Sequence, residues 1–231
     1  MSIRKVPLVQ GEYFHLYNRG NDKKEIFLDD EDRERFVKLL YLCNSERNLN
    51  FREDIVKKHI DAWDWQRGKP IISIGAWVLM PNHFHLYITS PKQGFGPEKI
   101  DNVITKFMSK LCTSYSKYFN KKYNRTGKLF EDKFKSVHVD SEVQAKYLYS
   151  YIHLNPIKLI QKDWKAVGIR YKKVALQFLD NYAWSSYKEY QVEDRRENSI
   201  LSKEAFPDYF RNKSTFEKEI FEWLAQSKAL G

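Results

Sequence analysis

Cysteine is nearly absent, with two among 231 residues. That is too few for a cysteine zinc site. Both Cys43 and Cys112 fall among apolar neighbours in helix-like stretches, the setting of reduced core thiols rather than of a disulfide. Long apolar runs are missing as well: nothing approaches the ~20 residues that a membrane helix needs, so no membrane partner is expected. The opening Met1-Ser2-Ile3-Arg4-Lys5 lacks the apolar stretch of a secretory signal, and a cytoplasmic location is expected. Internal repeats and low-complexity tracts are lacking. Acid is in deficit, with 30 Asp and Glu against 40 Lys and Arg, a net charge of +10.

That surplus of cations points to a polyanion, with nucleic acid as the favoured partner. Its distribution sharpens the point. Lys106, Lys110, Lys117 and Lys121 recur at helical spacing, and Lys122, Arg125, Lys128, Lys133 and Lys135 follow. Only Glu131 and Asp132 interrupt the run with acids. Val103, Phe107, Leu111 and Tyr118 oppose the stripe, so one helix buries one face and offers a basic face to solvent.

Along the chain, residues 12–18 read as a strand closed by Arg19-Gly20-Asn21-Asp22. Residues 29–43 carry Phe36, Leu39, Leu40 and Cys43 at helical spacing. Residues 44–67 fit no single element. Residues 71–80 form a β-rich run, and Pro81-Asn82 turns it into a second strand over 83–89. The basic helix is expected over 98–122, a strand over 129–139 and a helix over 142–154, capped by Asp140-Ser141 and stopped at Asn155-Pro156. This β-α-β-β-α-β order predicts an α+β fold, a ferredoxin-like antiparallel sheet with its helices on one face, followed by a tyrosine-bearing helix. Residues 1–190 would form this domain. Residues 191–231 read as a C-terminal helical extension that could equally pack as part of it.

The densest chemical signal is Met80-Pro81-Asn82-His83-Phe84-His85-Leu86. Side chains alternate along a strand, so His83 and His85 share one face, roughly 7 Å apart, while Phe84 enters the opposite layer. Two neutral imidazoles so placed can grip one metal ion. In the helix over 142–154, Tyr147, Tyr151 and Asn155 line up at four-residue intervals, and Tyr149 and His153 face elsewhere. A phenol can attack phosphorus when a metal polarises the phosphate, and an amide oxygen one turn on can supply a neutral ligand.

These residues carry a resemblance. Met80 to Leu86 resembles the His-hydrophobe-His (HUH) motif of single-tyrosine transposases, and Tyr151-Ile152-His153-Leu154-Asn155-Pro156 resembles their tyrosine helix. Tyr17-Asn18-Arg19-Gly20, the Gly127 to Lys135 segment and Trp184-Ser185-Ser186-Tyr187 match in the same order, most closely the REP-associated tyrosine transposases. The resemblance implies a metal-dependent endonuclease and strand transferase acting on single-stranded DNA beside hairpins. Tyr151 falls on the nucleophile, His83, His85 and Asn155 on the metal ligands, with Mg²⁺ or Mn²⁺ as cofactor. Lys106, Lys110, Lys117, Lys121, Lys122, Arg125, Lys128, Lys133 and Lys135 would track the DNA backbone. Either a monomer or a homodimer is compatible with it. Trp184 to Tyr187 is expected to pack, and Trp63 and Trp65 either pack or stack on bases.

Two other classes stay open: a hairpin-binding module without cleavage, and a metal-dependent hydrolase without a covalent adduct. Tyr115, on the basic helix, is the alternative nucleophile. His15 either approaches the site or is structural.

Overall fold

Residues 13–19 alternate half-buried and buried side chains, the period of a strand with unlike faces. The computed structural model describes residues 8–90, 100–191, 195–208 and 213–226. Met1 to Lys5, the Pro91 to Pro97 loop and Glu98, the expected start of the basic helix, lie outside them. Strand β1 (Tyr13–Arg19) leads to α1 (Asp30–Cys43), then to the hairpin β2 (Ser73–Met80) and β3 (His83–Thr89). Helix α2 (Ile100–Lys122), strand β4 (Lys135–Val139) and helix α3 (Glu142–Leu154) complete the expected order.

The sheet runs β2-β3-β1-β4, antiparallel throughout. The first crossover therefore skips a strand, which β3 fills: this is the ferredoxin-like arrangement. On one face Phe14, Leu16, Phe84, Leu86 and Ile88 pack with Phe36, Leu40, Phe107 and Leu111 of α1 and α2. On the other, Ala76, Val78 and Tyr87 pack with Ala145, Leu148 and Ile152 of α3. Register follows from this two-sided burial, because a one-residue slip would turn each strand's apolar set to the wrong layer.

Local chemistry sets the element ends. Asp29 caps α1, its carboxylate accepting from Asp32 N at 2.9 Å, and Asp30, Glu31 and Asp32 face the positive end of the helix dipole. The Asn44 amide beyond α1 accepts from Ile71 N and Ile72 N at 2.9 and 3.0 Å. It also donates to Ile72 O at 2.9 Å, tying the approach to β2 to the helix end. Ser141 caps α3 by accepting from Gln144 N at 3.3 Å. The ambiguous stretch before β2 holds a single π-helical turn (Arg52–Val56) and a 3₁₀ turn (Ala62–Asp64).

The last strand is shorter than the expected 129–139. Leu129 and Phe130 are drawn into the α1/α2 core, and Phe130 makes only an isolated bridge to Gly20. Asn21 N donates to Leu129 O at 2.8 Å, so the turn after β1 takes the bond that a continuing strand would need. Regular pairing begins at Lys135, opposite Tyr17.

After α3 come a 3₁₀ turn (Asn155–Leu159) and the helices α4 (Trp164–Val167), α5 (Lys172–Asn181), α6 (Tyr187–Gln191) and α7 (Lys213–Gln226). Trp184 O accepts from Leu79 N at 2.8 Å and Ser186 N donates to Trp77 O at 2.9 Å, so this segment lines the β2 edge. Beyond Gln191, Ile200 joins the first core, and Ala205, Phe206, Phe216 and Ile220 join the second. Gly75 makes room for this: a Cβ there would lie 2.7 Å from the Phe206 ring.

Candidate active site

The β1–β3 register sets Tyr17 opposite His85 and Arg19 opposite His83. Both histidines face the α3 layer, while Phe84 is buried against Phe36 of α1, ring centroids 4.8 Å apart. The His83 and His85 rings stand 5.0 Å apart, nearly perpendicular.

Each ring has its Nδ1 engaged. Asn82, in the hairpin turn, donates from its amide nitrogen to Lys23 O at 2.8 Å, which orients its carbonyl oxygen toward His83 Nδ1 at 2.6 Å. His83 therefore donates from Nδ1 and keeps a lone pair on Nε2. His85 Nδ1 pairs with His15 Nε2 at 2.8 Å. With His85 donating, its Nε2 is also an unprotonated lone pair, and that atom is buried without a hydrogen-bond partner. Burial is the first cause of a shared shift: His15 and His83 are each lowered to about 4, and His85 is lowered well below its ordinary value. Nearby cations add to this, Arg19 and Lys158 acting on His83. The rings are neutral at pH 7, the state a metal ligand needs.

Tyr151 meets them from the opposite layer. Leu148 and Ile152 bury one side of α3, which leaves half-buried Tyr151 on the neighbouring side. Its ring centroid lies 5.4 Å from that of His85 and 6.4 Å from that of His15. Tyr147 stacks on it at 6.2 Å, and Lys165 Nζ sits 3.6 Å from its centroid. Burial raises the Tyr151 phenol, and the Asn155 amide opposes that rise. Asn155 is buried where Pro156 ends α3. Its nitrogen completes no full hydrogen bond.

Tyr151, His83 and His85 line one cavity of about 250 Å³ with Tyr17, Arg19, Lys133, Lys135 and Lys158. Asn155 is not among the lining residues. Glu131 and Asp132 do line it, placing two carboxylates where the sequence suggested only a break in a basic run. Among the described residues, no three His, Cys, Asp or Glu side chains converge as a metal cluster. A second cavity of similar volume, between α1 and the Phe51 to Ala62 stretch, holds none of these groups.

The expected cation stripe divides. Lys133 and Lys135 reach the cavity. Lys106, Lys110, Lys117 and Lys121 project from α2, which packs on the far face of the sheet. Exposed Arg125 and Lys128 lie in the segment joining that helix to the cavity rim. Lys122 Nζ is held 2.8, 2.9 and 3.0 Å from the carboxylates of Asp29, Glu31 and Asp32, so its charge is spent within the fold.

Tyr115 is fully buried, donates its hydroxyl to Ile26 O and is pushed far up by burial, which removes it as a nucleophile. Trp65 is buried with Leu42, Ile55 and Ala62, and Trp63 packs on Tyr41 at 5.4 Å. Buried His153 bridges Tyr149 O and Ser186 Oγ at 2.9 and 2.8 Å, away from the cavity. Sequence reasoning missed Arg19, Lys158 and Lys165. Lys158 follows Asn155-Pro156 closely enough to have been a signal, whereas Lys165 has none.

No protein-family model and no curated protein matches the chain. Among solved structures, a REP-associated tyrosine transposase bound to a REP hairpin is similar, with 12% sequence identity and a TM-score of 0.47. The match covers 83% of this chain and 86% of that one.

Proposed function

We propose that the protein is a metal-dependent single-stranded DNA endonuclease and strand transferase that cuts beside DNA hairpins through a 5′-phosphotyrosine on Tyr151. One observation carries this reading: the Tyr151 ring and two neutral histidines, from distant parts of the chain, share a single cation-lined cavity. A core tyrosine has no need of that company.

The donors fit a metal. His83 Nε2 and the orphaned His85 Nε2 supply lone pairs, and the Asn155 amide oxygen is a neutral third candidate. With so few protein ligands, Mg²⁺ or Mn²⁺ would keep several waters. When bound, such an ion withdraws charge from the phosphorus and orients the phosphate. Tyr151 Oη attacks phosphorus in line, forming the Oη–P bond as the P–O3′ bond breaks. The phenolic proton passes to solvent, and the departing 3′-oxygen takes one up to become a hydroxyl. The phosphotyrosine conserves the ester, so another 3′-hydroxyl can reverse the step and join new ends. Arg19, Lys133, Lys135 and Lys158 offset the phosphate charge around the cavity.

Glu131 and Asp132 in the same cavity favour a second reading, direct hydrolysis with a carboxylate as base. One experiment separates the two. Labelled single-stranded hairpin oligonucleotides are incubated with the protein and Mn²⁺ or Mg²⁺, then run on a denaturing gel. A metal-dependent adduct that survives denaturation and disappears in Tyr151→Phe is expected, with cleavage lost in His83→Ala and His85→Ala. Cutting by Tyr151→Phe at the normal rate would refute the transferase. Hairpin binding without any cleavage would make the protein a recognition module.

A further inference from the structure

The short helix α4 carries two neighbours with opposite fates. Trp164 is fully buried in the α3 core, which fixes the start of the helix. Lys165 follows it and is exposed, yet its ammonium rests 3.6 Å from the centre of the Tyr151 ring. Seven residues earlier, Lys158 leaves the Asn155–Leu159 turn and lines the cavity that Tyr151 faces. Two ammonium groups are thus brought to the nucleophile from one connecting segment.

Glu131 and Asp132 line the same cavity as Lys158, but neither carboxylate is ion-paired with it. Among the described residues neither lysine has an ion-pair partner. Each is felt by the other groups of the site: Lys158 opposes the charge of Lys165, and both oppose protonation of His85. Other lysines of the chain are paired, Lys38 with Glu34, Lys57 with Glu53 and Lys122 with three carboxylates. Like charges gathered without a paired carboxylate repel one another, and an arriving anion relieves them. The ring face holds an ammonium weakly, so a charge-assisted bond to a phosphate oxygen can displace it.

We propose that Lys158 and Lys165 form the phosphate seat at Tyr151, binding the non-bridging oxygens of the single-stranded DNA backbone at the attacked linkage. In the free protein Lys165 is parked on the ring that will attack. When the strand enters, it exchanges the ring face for a phosphate oxygen and leaves the phenol facing phosphorus. The assignment rests on the reading of Tyr151 as the nucleophile for its location, but the phosphate contacts are measurable without any chemistry.

The test uses the full chain, with chelator and no metal, and a fluorescent mixed-sequence single-stranded oligonucleotide. The logarithm of the binding constant is followed against the logarithm of salt concentration. Each phosphate contact on single strands contributes about 0.7 to that slope. Lys158→Gln and Lys165→Gln should each lower it by about 0.7, and the double variant by about 1.4. Lys165→Arg should keep it, because charge is retained. Lys57→Gln, just past the π-helical turn and outside the cavity, is the charge-matched control and should leave it unchanged. An unchanged slope in both Gln variants, or an equal loss in Lys57→Gln, overturns the proposal. A lowered slope with no covalent adduct in any variant would uphold the phosphate seat and sink the transferase. An adduct formed by a protein whose slope ignores both lysines would do the reverse.

Discussion

Acid should destabilise this protein from about pH 6.5 downward, because four of its six histidines are held neutral. His153 shows the reason most clearly. It is wholly buried, its Nδ1 donates to Tyr149 O and its Nε2 accepts from the Ser186 hydroxyl, so a second ring proton would force the latter bond to reverse and leave a charge in the core. Burial lowers it to about 3, against an opposing pull from the Tyr149 carbonyl. His15 and His83 are lowered to about 4, and His85 well below its ordinary value. In the unfolded chain all four take up protons near pH 6.5. Stability is therefore fully present above about pH 6.5 and is lost as the pH falls from there toward the folded values. Each such group costs about 1.4 kcal/mol per pH unit in that window, or about 2 kcal/mol at pH 5. Four groups would cost about 8 kcal/mol, an upper figure because His15 and His83 keep some solvent contact. Glu189, pushed up to about 7 by burial, also takes up a proton in the folded state and offsets part of the loss. A domain of this size has a net stability of about 5–15 kcal/mol, so the metal-free protein should approach its unfolding midpoint near pH 5. Urea unfolding in chelator at steps from pH 7.5 to 5 measures the loss. His153→Gln keeps a donor and an acceptor but cannot take the proton, and should remove about one proton from the slope. Stability that stays flat from pH 7 to 5, or a His153→Gln variant with the full slope, would refute this account.

His15→Phe leaves His85 Nδ1 without its partner and should weaken Mn²⁺ binding by about 10–100-fold, as read by calorimetric titration. Tyr115→Phe removes the hydroxyl bond to Ile26 O and should cost about 1 kcal/mol in urea unfolding. It should leave adduct formation intact, whereas its loss would move the nucleophile to α2. Phe206→Ala empties a fully buried site against Tyr13 and Tyr87 and should cost about 3–5 kcal/mol, measured the same way.

Short-range patterns of the chain carried through to the fold. Alternation along β3 put His83 and His85 on one face and Phe84 on the other, and the four-residue spacing in α3 put Tyr147, Tyr151 and Asn155 on one side. Both are properties of neighbouring residues. The start of β4 was less legible. Leu129 and Phe130 continue a strand-like pattern, yet they are drawn into a core and their backbone is taken by the turn after β1. Lys122 looked like its basic neighbours until α1 brought three carboxylates to it.

The sequence by itself determined the element order through α3, the sheet class and the two halves of the candidate site, because strand and helix periods follow from backbone stereochemistry. Only the tertiary structure decided which groups meet. It set His15 against His85, brought Glu131 and Asp132 to the cavity, placed most of the α2 lysines behind the sheet and laid Lys165 on the Tyr151 ring. Those contacts depend on strand register and layer packing, which are sums over many distant residues and leave no mark at any single position.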